Sequence, residues 1–118
     1  MANKIDEKVK EFQQTLESIL NELIENSGME VYGNIKIEVA NMDTLALLKG
    51  NKIYINIKAM EYPEYVLKYI IAHELAHLIV KRHTKKFWEI VKGIYPEYEK
   101  GRNELFSKNV RRSIWKIN

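Results

Sequence analysis

All three histidines of this 118-residue chain fall within eleven consecutive positions, in the stretch HELAHLIVKRH that holds His73, His77 and His83. Imidazole is the commonest side-chain ligand for metals. On a helix, a spacing of four turns a side chain by about 40° and lifts it by about 6 Å. His73 and His77 therefore project from one face and can share an ion. Glu74 lies about 100° from His73 on the same wheel, at the flank of that face. This is the physical content of H-E-x-x-H: two metal ligands and a base on one rigid helix. The chemistry such a set supports is hydrolysis by an activated water.

An open zinc site needs three protein ligands and a water. His83 is the nearest further candidate. A continuous helix would carry it about 9 Å along the axis from His77, too far for two bonds of about 2 Å to one ion. The chain is therefore expected to leave the helix between Val80 and His83 and turn back, although Val80, Lys81 and Arg82 include neither Gly nor Pro. Thr84 can then cap the next helix. The rival third ligand is a downstream carboxylate, Glu97, Glu99 or Glu104. Two satisfied core histidines would be the plain explanation of an isolated H-E-x-x-H. Here the flanks are apolar, where two imidazoles and a carboxylate are costly without partners. The chain has no cysteine, so a metal must be held by nitrogen and oxygen.

The elements that must position these groups are legible around them. Ile5, Val9, Phe12, Leu16, Ile19, Leu20, Leu23 and Ile24 make an apolar stripe that predicts a helix over 4–26, ended by Gly28. Ile35, Ile37 and Val39 alternate with charged residues and predict a strand. Residues 45–57 predict a hairpin turning at Lys49-Gly50-Asn51, giving about three strands that need helices packed on them. After Pro63, a helix buried on most sides is expected from Glu64 to about Val80. Phe87, Trp88, Val91 and Ile94 mark another from about Thr84. A last one is expected from about Glu97 to Lys108, beyond Pro96. The implied class is α+β, with an N-terminal helix, the H-E-x-x-H helix and C-terminal helices on a small sheet. One domain over 1–118 is expected from the length.

Residues 1–80 carry eight Lys/Arg against twelve Asp/Glu, whereas 81–118 carry eleven against four. The plain reading of the basic half is a solvated face; the sharper one is attraction to nucleic acid. No apolar run approaches the roughly 18 residues of a membrane span. The charged N-terminus lacks the apolar core of a secretory signal, so a cytoplasmic location is expected. Ile114, Trp115 and Ile117 put apolar surface into a basic terminal segment, residues 109–118. That segment is expected to dock, either as ordinary packing or as an autoinhibitory plug within the chain or swapped between two chains.

The stretch HELAHLIVKRH fits the zincin metallopeptidases. Its gap to His83 equals that of the metzincins, but Val80 stands where they have glycine, and no methionine follows His83. The longer stretch YPEYVLKYIIAHELAHLIVKRHTKKFWEIVKGIYPEY, residues 62–98, resembles small H-E-x-x-H proteins with a third histidine, the SprT-like metal-dependent hydrolases and above all the minigluzincins. The resemblance implies a zincin-like minimal metallopeptidase domain binding one Zn2+ per chain. It implies His73, His77 and His83 as ligands, Glu74 as general base, and latency through a C-terminal segment. It also implies a peptide or protein substrate lying extended along a sheet edge, which either strand of the hairpin could supply. Tyr95 and Tyr98, which follow the metal segment, are candidate donors to the oxyanion of such a reaction.

Overall fold

The computed structural model describes residues 4–28 and 34–109. These form α1 (Lys4–Ser27), β1 (Lys36–Ala40), β2 (Ala46–Lys49), β3 (Lys52–Asn56), a 3₁₀ turn (Ile57–Glu61), α2 (Glu64–Ala76), α3 (Lys85–Ile94) and α4 (Tyr98–Asn109). The expected α+β class and the order of its elements are borne out. Residues 109–118, where the tail expectation falls, lie outside the described residues except for Asn109. Among the described residues no helix is long and apolar enough to cross a membrane.

The predicted stripe of α1 is its buried face: Phe12, Leu16, Ile19, Leu20 and Leu23 all lie in the core. Gly28 ends the helix at φ +66, with its N–H bonded to the Glu25 carbonyl at 3.2 Å. A residue with a Cβ is strained in that left-handed conformation. Gln13, on the same helix, reaches across to the sheet. Its amide nitrogen donates to the Ile37 carbonyl at 2.7 Å, and its oxygen accepts from the Val39 N–H at 2.9 Å. One side chain thereby stands in for a neighbouring strand on the outer side of β1.

The sheet order is β1-β3-β2, with β1 parallel and β2 antiparallel to β3. Since β3 is bonded on both sides, the free edge expected from either hairpin strand belongs to β2. The hairpin turns at Gly50, whose φ is +61. Asn56 closes β3. It is buried, its amide nitrogen donates to the carbonyls of Met42 and Thr44 at 2.7 and 2.9 Å, and its oxygen accepts from the Lys58 N–H. A buried polar group is tolerated when its bonding capacity is filled in this way.

The centre of the molecule is α2. Every residue from Tyr69 to Ala76 is buried, as its apolar circumference predicts. The α-helix stops at Ala76 rather than near Val80, so the chain turns away earlier than expected. Leu78 and Ile79 donate to carbonyls three residues back, at 3.1 and 3.0 Å, and Val80 closes the turn on Ala76. Such tightening is a common way to satisfy a helix end. Among the described residues no non-glycine has positive φ, so this turn needs no glycine and Val80 fits it. The Thr84 hydroxyl then accepts from the Phe87 N–H at 3.4 Å and starts α3, as expected.

Helix α4 lies close against α2 at Gly101. A Cβ there would meet the Tyr65 carbonyl oxygen at 2.5 Å and the Tyr69 Cβ at 2.8 Å. Both neighbours are fixed parts of a buried helix and cannot yield cheaply. We expect Gly101→Ala to lower stability by about 1–3 kcal/mol, the usual cost of overpacking. A shifted urea midpoint with unchanged slope would show it.

Candidate metal centre

The helix α2 and the turn after it bring His73, His77 and His83 to one point. The Nε2 atoms of His73 and His77 are 3.3 Å apart, those of His77 and His83 are 3.1 Å apart, and one ligand atom from each of the three falls within 4.8 Å of the others. Zn–N bonds of about 2.0–2.1 Å in a tetrahedron give nitrogen separations of about 3.3–3.4 Å. The two Nε2 separations to His77, 3.3 and 3.1 Å, lie at or just under that edge length. The donor chemistry agrees. The Nδ1 of His77 lies 3.2 Å from the Val80 carbonyl, which can only accept. The ring proton therefore belongs on Nδ1, and Nε2 is left as a lone pair facing the other two rings. A shared cation satisfies three such nitrogens at once, whereas a proton satisfies one pair. The residues present fit a divalent metal.

Exposure rises along the set. His73 is 3% exposed, His77 is partly buried and His83 is exposed, so the centre opens on the His83 side. Phe87, fully buried, forms its floor, with ring centroids 5.0, 4.6 and 4.9 Å from those of His73, His77 and His83. Trp88 flanks it at 5.9 Å from His73 and 6.1 Å from His83. Because Thr84 caps α3 immediately after His83, Phe87 and Trp88 fall in the first turn and are aimed back at the cluster. The sequence marked both as packing residues of a helix; only the cap geometry assigns them to this site.

Tyr69, one turn before His73, has its hydroxyl 3.2 Å from the His73 Nδ1. It was not among the residues singled out from sequence, although a tyrosine four positions before a helical ligand histidine is a readable signal. Burial pushes its phenol up to about 12, with the Arg102 guanidinium pulling the other way.

Glu74 is fully buried, and neither carboxylate oxygen has a hydrogen-bond partner among the described residues. Burial pushes its carboxyl up to about 8. A nearby dication would act in the opposite sense and favour the carboxylate. Glu74, His77 and His83 line one cleft of about 700 Å³, together with Leu48 and Gly50 from the β2 hairpin and with Lys81.

The other candidates are placed elsewhere. Glu97 and Glu99 are exposed, and no glutamate joins the three-histidine group among the described residues. Tyr95 caps the end of α3, where burial raises the pKa of its hydroxyl and the Lys68 ammonium of α2 lowers it. Tyr98 stacks on Trp88 at 5.8 Å, one ring removed from the histidines. Neither tyrosine lines the cleft.

The sequence pattern of the family described as "YgjP-like, metallopeptidase domain" matches residues 3–108. The chain belongs to that family. It is a metallopeptidase domain, and the histidine cluster lies inside the matched span. Two solved structures have the same fold. That of the metallopeptidase zymogen of Pyrococcus abyssi abylysin is 21% identical, with a TM-score of 0.66, covering 79% of this chain and 93% of that one. That of the metallopeptidase zymogen of Methanocaldococcus jannaschii jannalysin is 24% identical, with a TM-score of 0.65, covering 79% and 95%. No curated protein matches the chain. The expected metallopeptidase family is borne out by the family match, and the expected likeness to the minigluzincins is borne out in fold.

A divalent ion bound to the folded chain alone must stabilise it, by about 4 kcal/mol at a thousand times its dissociation constant. We expect added zinc to raise the melting temperature of the chelator-stripped chain, and His83→Ala to abolish most of that shift.

Proposed function

We propose that the chain is a zinc-dependent endopeptidase. The observation that carries this reading is the convergence of three histidines, two of their Nε2 separations near a tetrahedral edge, beside a buried carboxylate with no hydrogen-bond partner among the described residues. His73, His77 and His83 would hold one Zn2+ through Nε2, with Nδ1 of His77 fixed by the Val80 carbonyl. When bound, zinc supplies Lewis acidity to the scissile carbonyl and to the attacking water. Glu74 then takes a proton from that water and delivers it to the leaving amine. Its apolar surroundings favour the protonated form after the first step, which helps the second. The free edge of β2, with Leu48 and Gly50 in the cleft wall, suits a substrate added as an extended strand. The second oxyanion donor is not assigned to Tyr95 or Tyr98, since both stand outside the cleft.

The test is Glu74→Gln, which keeps the shape of the side chain and removes the base. It should retain one zinc per chain by mass spectrometry of untagged protein, and lose hydrolysis by about 10²–10⁴-fold. Peptide cleavage at the wild-type rate would overturn the assignment.

Latency belongs to the same proposal. The two solved structures that share the fold are metallopeptidase zymogens, and the segment 109–118 carries Ile114, Trp115 and Ile117 among basic residues. That segment would cover the cleft, within the chain or from a second copy. Truncation after Lys108 should raise peptidase activity; loss of folding instead would make the segment ordinary packing.

One observation favours a second reading. Lys81, Arg82, Lys85 and Lys86 are all exposed around His83, and none forms an ion pair among the described residues. A nucleic-acid-associated protease of the SprT-like kind would use such a patch. DNA binding that weakens steeply with salt would support it, and no binding at low salt would remove it.

A further inference from the structure

The cleft beside the histidines holds one charged group that the hydrolysis above does not use. Of its lining residues, Glu74, His77 and His83 belong to the metal centre, and Leu48, Gly50 and Leu78 carry no charge; Lys81 remains. Lys81 is exposed and forms no ion pair among the described residues. It does not serve Glu74 either. Neither oxygen of that carboxylate has a hydrogen-bond partner among the described residues, and burial is what pushes its carboxyl up.

The walls around Lys81 carry one sign of charge. Residues 44–60, which include the β2 hairpin, hold three lysines and no Asp or Glu. Residues 75–88, from the end of α2 into α3, hold Lys81, Arg82, Lys85 and Lys86 and again no Asp or Glu. Glu38 takes up one of these cations, Lys52, at 3.1 Å, whereas Arg82, Lys85 and Lys86 are exposed. A dication held by neutral imidazoles would add to this field, and Glu74 alone on the lining opposes it. A cleft lined by one sign of charge concentrates ligands of the other sign.

The place of Lys81 favours an acidic peptide over nucleic acid. It shares one cleft with Glu74, with two of the histidines and with the β2 hairpin. A peptide added to a sheet edge sends alternate side chains to the same face, where pockets choose among them. Leu48 and Leu78 give that face apolar contacts, and Lys81 gives it a single charge. One charge in an otherwise apolar pocket selects a side chain of opposite sign and rejects one of the same sign.

We propose that Lys81 is a specificity-determining residue, and that the cleft prefers peptides with Asp or Glu beside the scissile bond, the substrate carboxylate pairing with the Lys81 ammonium. The inference rests on the peptidase reading above and names its substrate class.

The experiment uses the full chain carrying Glu74→Gln and loaded with zinc, so that peptide binds without being cut. The probes are two fluorescein-labelled decapeptides, alike except that the central residues are glutamate in one and glutamine in the other. Fluorescence polarisation should show the glutamate peptide bound about fivefold to fiftyfold more tightly at low salt, the range of a charge-assisted bond at a partly exposed site. That ratio should shrink as salt is added. Adding Lys81→Gln should bring it close to one, and Lys81→Arg should keep most of it. Lys85→Gln removes the same charge outside the cleft and should leave most of the ratio in place. With Glu74 intact, the same preference should appear in kcat/KM. Lys81 is exposed, so zinc content and melting temperature should match those of the parent chain in each of its variants.

Equal binding of the two peptides, or no binding of either, overturns the proposal. So does a preference that survives Lys81→Gln. Equal losses in Lys81→Gln and Lys85→Gln overturn it as well, since a diffuse field and not a pairing in the cleft would produce them. Salt-sensitive binding of a DNA oligonucleotide, beside equal binding of the two peptides, overturns it in favour of the nucleic-acid reading. Failure of the peptidase reading looks different: the wild type takes up no zinc, or it binds the glutamate peptide through Lys81 and leaves it uncut.

Discussion

Three imidazoles brought to one point, with the His77 Nε2 3.3 Å from that of His73 and 3.1 Å from that of His83, are the constraint on which the rest of the structure depends. Such an arrangement repels itself unless a cation sits in the middle. The fold must therefore enforce it without that help. It does so by burying every residue of α2 from Tyr69 to Ala76, by tightening the chain at His77–Val80, and by setting Phe87 under the three rings at once. The Thr84 cap matters because it fixes where α3 begins and hence where Phe87 and Trp88 point.

The electrostatics follow from the same packing. A carboxylate in a fully buried position without partners is costly, and Glu74 responds by favouring its protonated form. Burial in itself explains nothing about selection for a glutamate there; apolar residues would pack as well. A dication held by the neighbouring histidines would restore the charged form. The β2 hairpin completes the cleft from the other side. Gln13 covers one outer edge of the sheet and β3 is bonded on both sides, so among the described residues the remaining edge is that of β2.

Much of this was legible from local pattern. The stripe of α1, the stop at Gly28, the hairpin through Gly50 and the cap at Thr84 are all short-range signals, each set by a backbone or periodicity rule. The H-E-x-x-H spacing placed His73, Glu74 and His77 on one helix without any tertiary information. The misplaced feature was the turn. An apolar run through Leu78, Ile79 and Val80 reads as continued helix, because period cannot reveal where hydrogen bonding tightens from four residues to three. The missing glycine at Val80 looked like an obstacle, yet a turn with no positive φ needs none.

The sequence by itself determined the elements and the chemical identity of the centre, because helix spacing is fixed by backbone geometry and imidazole and carboxylate have few other uses in apolar flanks. Only the tertiary structure decided which residues surround that centre. His83 rather than Glu97, Glu99 or Glu104 meets the first two histidines, since the chain turns back at His77 and the glutamates stay outside. Tyr95 and Tyr98 fall away from the cleft, since α3 carries them past it. Helix α4 packs against Tyr65 and Tyr69 of α2, since Gly101 carries no Cβ at that approach. These are contacts between segments distant in sequence, set by which helix faces pack, and no local spacing encodes them.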